Sequence, residues 1–292
     1  LLDANFGLQA VRTLMAGFLD EQALGVYPNS NLALKARAMG NTDLLIVEDL
    51  SCSLPGVVQL KGAATARHLM KPLRSGDARF DLQTGNLGSI MGLLPPDVRS
   101  SIGFANPMTA KGKASFAGDN YNADLRMTAE QGVLTAQAHL NLQEENYNVT
   151  ADGKAVPIGT FLPGMGLGNF SGHLKATGKG LDVLSPKAKL HAEAAIDSLD
   201  YNEWHLDRIT FLADLADGKG EARFSSDNDL LMGSGELTAD LGEMMHFGLN
   251  ADLPIINITS LSGIKDTLQM GTTINITGHA DRALTDYGAE GS

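Results

Sequence analysis

Hydrophobic and polar residues alternate with a period of two over most of this chain. Between Phe170 and Leu241, Leu174, Ala176 and Gly178 alternate with His173, Lys175 and Thr177, and Ala188, Leu190, Ala192, Ala194 and Ile196 alternate with Lys187, Lys189, His191, Glu193 and Asp197. Successive side chains of a strand point to opposite faces, so this pattern predicts half-buried β-strands. The breaks at Gly178 to Gly180, Asp217-Gly218 and Asp227-Asn228-Asp229 use residues that tolerate positive φ or bond their own backbone. Such breaks predict tight turns and a meander of antiparallel strands.

The same period predicts strands over 32–38, 41–47, 57–66, 77–84, 108–116, 121–129 and 133–143, and a last strand over 270–278 followed by a polar tail. Helical spacing is clear over 2–24, where Phe6, Leu8, Val11, Leu14, Met15, Phe18 and Leu19 fall together and Asp3 or Asn5 could cap the start. This is the longest helix expected. Short apolar segments at 87–102, 156–162 and 253–264 interrupt the strands and are expected to cross as brief helices, the first around Pro95-Pro96.

Set side by side, FDLQTGNLGSIMGLLPP from Phe80, VTADGKAVPIGTFLPG from Val149 and FGLNADLPIINITSLSG from Phe247 each run strand, polar link, apolar segment. They divide one elongated repeat region into possible units 1–86, 87–155, 156–252 and 253–292, unequal in spacing. Repeats of this kind grow lengthwise and build a channel or trough.

Composition changes what the apolar face can be. The chain is 43% hydrophobic but only 5% aromatic, and Ala and Gly take many inward positions. Two sheets packed face to face leave roughly 10 Å to fill, normally with large side chains. An underfilled face leaves room for a ligand, while a closed sandwich with closely packed alanines is the alternative. The residues expected to line a shared apolar interior are Leu125, Met127, Leu134, Ala136, Leu140, Leu174, Leu190, Ile196, Phe224, Phe247 and Leu249. Lys111, Lys113, Arg126, Lys175, Lys187 and Lys189 are expected to face solvent.

Net charge is −12, from 22 Lys+Arg against 34 Asp+Glu, and no basic cluster is denser than Lys111 to Lys113. Nucleic acid is therefore not expected as a partner. The single cysteine, Cys52, forms no internal disulfide and no zinc site, and reads as a small buried apolar residue. The longest apolar runs fall far short of the ~20 residues of a membrane helix. The chain starts at Leu1 with nothing resembling a signal peptide, and is expected to be a piece of a longer protein. Asn148, Asn169, Asn257 and Asn275 stand in N-x-S/T triplets, which are common in strands and turns.

No constellation points to chemistry. The seven histidines lack the close spacing of metal ligands and are expected on solvated surfaces. Gly164, Gly166 and Gly168 form a glycine-rich turn outside any βαβ context, and Asp227 to Asp229 lacks the glutamate that closes a calcium loop. No G-x-S-x-G elbow is present. Neither catalysis nor a cofactor is expected.

The string GHLKATGKGLDVLSPKAKLHAEAAIDSLDYNEWHLDRITFLADLADGKGEARFSSDNDLL, and in the same cadence AKGKASFAGDNYNADLRMTAEQGVLTAQAHL, resembles the repeat region of TamB-like proteins of the AsmA-like superfamily in the form found in Bacteroidetes-type bacteria. That resemblance implies a mainly β fold, an elongated, curved antiparallel β-sheet with a taco-like groove and a few short helical crossing segments. It implies an apolar trough that shields phospholipid acyl chains between the inner and outer membranes, in the periplasm of a diderm bacterium. It further implies an inner-membrane anchor and an Omp85-type outer-membrane barrel partner, both reached through parts of the protein not present here. A cell-surface adhesin or stalk of stacked β-repeats, binding protein or glycan, is the second function class; Trp204 is the one tryptophan available for a glycan face.

Overall fold

The computed structural model describes residues 2–7, 31–88, 103, 105–182, 185–242, 244–257, 269–281 and 286–292. Among the described residues the protein is mainly β, built of antiparallel strands with almost no helix. It divides into two compact units, one of residues Leu1–Gln137 with Lys154–Asn169, the other of Ala138–Gly153 with Phe170–Ser292.

In the first unit β1 (Leu2–Gly7), β2 (Asn31–Gly40), β3 (Leu44–Leu54), β4 (Val58–Arg67), β5 (Ser75–Thr84), β6 (Met108–Ala117) and β7 (Asn120–Ala129) pair in chain order, each antiparallel to the next. In the second, β11 (Lys189–Tyr201), β12 (Trp204–Ala216), β13 (Lys219–Asp227), β14 (Leu231–Leu241), β15 (Met244–Asn257), β16 (Gln269–Asp281) and β17 (Tyr287–Gly291) do the same. Between them in sequence lie β8 (Gly132–Asn141), β9 (Asn146–Pro157), the single-turn helix α1 (Ile158–Phe161) and β10 (Leu167–Lys179). Hairpins close on the expected residue types. Asp217 and Gly218, at φ 52° and 75°, form the two-residue link of β12 and β13, where positive φ at both positions matches the strand twist.

Several expected elements differ. Residues 2–7, read as the start of a helix, form β1: the register sets Leu2, Ala4 and Phe6 opposite Ala36, Leu34 and Leu32, so six residues of alternation next to a pairing edge outweigh the helical spacing. The remainder of that helix, 8–30, lies outside the described residues, as does most of the crossing segment 87–102. The segment beginning at Leu253 continues β15 to Asn257 before leaving the described residues. Of 156–162, Val156 and Pro157 end β9, and α1 supplies only one turn. The polar tail is not tail throughout, because Tyr287–Gly291 pairs with β16 as β17.

The tightly packed side chains lie toward one end of the strands in the first unit. Leu54 and Val57 pack with Leu32, Val58 and Leu87, while Ala105, Met108 and Ala129 pack with Leu82, Met127 and Phe161. Among the described residues no large side chain is fully buried.

Candidate functional site

Residues directly opposite each other across paired strands share a face, so the registers sort every side chain of the two ladders. In the second unit one row runs Ala194, Phe211, Phe224, Gly235, Ala251, Ile274 across β11 to β16, and the next runs Ala192, Ala213, Ala222, Leu237, Leu249, Ile276. A third row is Leu190, Leu215, Gly220, Ala239, Phe247, Gly278. Every member of these rows is apolar. In the first unit the rows Ala38, Val47, Ala64, Ala78, Ala114, Ala123 and Ala36, Leu50, Gly62, Phe80, Gly112, Leu125 cross β2 to β7 in the same way.

Large side chains of this face are partly exposed. Phe211 is 45% exposed, Leu237 44%, Phe80 38% and Phe247 37%. Ala38, Ala78, Ala114 and Ala123 are exposed as well, although each lies on the apolar face. A closed two-layer packing would have buried them first.

The face is also low. Phe80, Phe116, Phe224 and Phe247 each stand directly opposite a glycine of the neighbouring strand: Gly112, Gly76, Gly235 and Gly278. In every pair the ring occupies the space a Cβ on that glycine would take. The aromatic side chains thus lie down across their neighbours and roof over backbone, which keeps the surface near the height set by alanine. Phe211 and Phe224 pack tilted at 38° with centroids 6.3 Å apart, and Phe116 stacks on Tyr121 at 6.1 Å.

The sequence-derived lining residues distribute as follows. Leu125 and Met127 lie on the apolar face of the first unit, opposite Gly112 and Ala110. Leu190, Ile196, Phe224, Phe247 and Leu249 lie on that of the second. On β8, Gln137 donates to Asp124 at 3.0 Å and so shares the polar face, and Leu134 and Ala136 have the opposite phase. Leu140 is half-buried, and Leu174 on β10 is 41% exposed. Lys111, Lys113, Arg126, Lys175, Lys187 and Lys189 are exposed.

The other face is charged and internally paired. His191 Nδ1 meets Asp214 at 2.7 Å and its Nε2 meets Glu193 at 3.0 Å, and His173 meets Asp152 at 2.7 Å. Hydrogen bonds to Asp214 and then Glu193 raise the His191 pKa, while the bond to His191 lowers that of Glu193. Lys71 and His68 hold the Asp43 carboxyl below its ordinary range. Shallow depressions of ≈ 570 and ≈ 630 Å³ in the second unit and ≈ 470 Å³ in the first are rimmed largely by polar-face side chains such as Arg223, Asp240 and Lys61. Their charges face one another: Lys111 bonds Asp81 at 2.9 Å, and Arg223 reaches Glu221 and Glu236.

One arrangement carried no sequence signal beyond a turn. Asn228 is 3% exposed and donates to Asp207 and His205 O across the sheet while accepting from Leu230 N–H at 2.8 Å. Arg208, at φ 54°, clasps the same turn through Asp227 O at 2.7 Å and Asp229 at 3.3 Å. The network pins a hairpin. Among the described residues no group of three His, Cys, Asp or Glu could hold a metal, and no helix is long and apolar enough to cross a membrane.

In each unit, fold and surface together define an antiparallel sheet with one partly exposed apolar face and one charged face. Comparison with protein-family models, curated proteins and solved structures finds no match.

Proposed function

We propose that the apolar face shields lipid acyl chains in transit, as a periplasmic section of an envelope-spanning lipid-transport and outer-membrane assembly protein of the TamB-like, AsmA-like kind. The observation that carries this reading is an apolar face, continuous across each ladder and partly exposed. In the first unit the alanine row from Ala38 to Ala123 crosses β2 to β7. At ~4.8 Å per strand it is about 24 Å long, enough for an extended acyl tail lying across the strands.

The energetics suit transit. Full burial of a methylene is worth about 0.8 kcal/mol, and a tail resting on a floor is covered on one side only, so it gains part of this and can leave again. The charged opposite face keeps such a surface dissolved. The groove's curvature, the inner-membrane anchor and an Omp85-type barrel partner, reached through other parts of the protein, belong to the same proposal.

The test is lipid co-purification under gentle extraction, read by mass spectrometry, for the wild type and Leu190→Asp. Leu190 sits on the apolar face opposite Leu215, where a carboxylate must lose hydration beside a tail. Phospholipid on the wild type and its depletion in a folded variant are expected. A lipid-free wild type contradicts the reading, and so does a folded variant with unchanged loading.

A further inference from the structure

The registers of β4 to β7 gather, on the charged face of the first unit, cations that the sequence spreads over 61–126. Lys111 stands directly opposite Arg126. Lys113, two positions along the same strand and so on the same face, stands directly opposite Arg79. Lys61 lies in the row of Lys111, beyond Asp81. All five cations are exposed. The two carboxylates among them are already engaged: Asp81 Oδ2 pairs with Lys111 at 2.9 Å, and Asp124, opposite Lys113, accepts from Gln137 at 3.0 Å. Asp81 Oδ1 is enclosed and has no partner. Among the described residues Lys61, Arg79, Lys113 and Arg126 form no ion pair.

Like charges directly opposite each other destabilise a sheet, and here two such pairs stand side by side. The acidic pair of the second unit, Asp214 opposite Glu221, is relieved by its neighbours: His191 bonds Asp214 at 2.7 Å and Arg223 bonds Glu221. The basic pairs have no such relief. Nor does a change of register supply it, because Gly112, between the two lysines, lies under the Phe80 ring on the apolar face and a one-residue slip would turn both lysines inward. Charge is also segregated along the chain: the first unit has 13 Lys+Arg against 12 Asp+Glu, the second 9 against 22. Screening over about 8 Å at physiological salt lets the local cations decide what this face attracts.

We propose that Arg79, Lys111, Lys113 and Arg126 form a binding site for a phosphate-type oxyanion, whose negative charge bridges the two like-charged pairs. Opposite residues of paired strands lie about 5 Å apart at Cβ, and successive residues on one face of a strand about 7 Å, so four long side chains converge on a group of phosphate or diphosphate size. The two guanidinium forks and two ammonium groups supply charge-assisted hydrogen bonds to its oxygens. The site lies on the face opposite the apolar floor and does not rest on the lipid-tail reading. A phosphate of this kind is either free in solution or part of a lipid headgroup.

Isothermal titration of the whole chain with pyrophosphate, at constant ionic strength against chloride, tests it. One pyrophosphate should bind per chain. Lys113→Gln and Arg126→Gln should each raise its Kd at least about fivefold, whereas Lys187→Gln, an exposed lysine of the second unit, should leave it unchanged. Without the anion, Lys113→Gln and Arg126→Gln should unfold at no lower urea concentration than the wild type, since each removes one member of a like-charged pair. Flotation with vesicles separates the two sources. Capture by phosphatidylglycerol vesicles that Lys113→Gln abolishes identifies a lipid headgroup, and pyrophosphate binding without such capture identifies a free phosphate. Phosphatidylcholine vesicles carry the same tails, so capture through the apolar face would appear with both lipids and in the Lys113→Gln variant. Absence of pyrophosphate binding, or a Kd that Lys113→Gln and Arg126→Gln leave unchanged, overturns the proposal.

Discussion

The ring of Phe224 lies over Gly235, its direct cross-strand neighbour, in the space that any side chain on that glycine would need. This relationship explains how a face with so few aromatic residues can still be closed to water over its backbone. A phenylalanine lying across a neighbour covers two strands, so small residues fill the intervening positions and the surface stays shallow. Gly235 also has Ala251 beside it, and no backbone atom among its three nearest neighbours, which makes the ring the principal obstacle to a larger residue.

The first prediction follows from that geometry. Gly235→Ala should destabilise the wild type by about 1 kcal/mol, because the ring must lift off and lose its contact. In a Phe224→Leu background the same change should cost well under half as much. A double-mutant cycle by urea unfolding measures the coupling, and equal costs in both backgrounds would mean the ring and the glycine do not depend on each other.

Asn228 gives the second. Its side chain satisfies a buried turn with bonds to Asp207, His205 O and Leu230 N–H. Asn228→Ala should cost about 2 kcal/mol, since buried partners are left unsatisfied. Asn228→Asp should cost more, because it adds a buried carboxylate against Asp207. Chemical denaturation of the two variants checks both the size and the order.

The third concerns pH. Hydrogen bonds to Asp214 and then Glu193 favour the protonated form of His191, so its folded pKa lies above the ordinary value of 6.5. A group whose pKa is raised on folding adds stability that is fully present below its unfolded pKa and is lost as pH rises through the folded one. Relative to the wild type, His191→Gln should therefore be less stable below pH 6.5, with the difference shrinking as pH rises above it. Because all three side chains are exposed, the effect should also weaken in salt. A stability difference independent of pH would show that the imidazolium bridge contributes nothing.

Most strands were legible because one face is apolar and the other charged, which leaves the period of two unmistakable in runs such as Ala188 to Asp197. Boundaries and phase were less so. At β3 the pairing passes from Arg37–Asp49 to Ala38–Val47, so Glu48 is an extra residue and the apolar phase moves from Leu45 and Val47 to Leu50 and Cys52. A bulge of this kind has no signature in alternation alone. β1 was masked by helical spacing in the residues that follow it, and β17 by the shortness and polarity of its strand. The glycines opposite phenylalanines read as loose spacing in one dimension; their meaning depends on the register between strands, which a single strand's pattern does not contain.

The central claim is that lipid tails travel on one face of the sheet. The most direct measurement is site-specific photo-crosslinking in bacterial cells, with a photoreactive amino acid in place of Ala213 on the apolar face or of Thr210 on the polar face, three positions away on the same strand. Lipid adducts found by mass spectrometry at 213 and not at 210 are the predicted result. Absence of lipid at 213, or equal labelling at both positions, would contradict it.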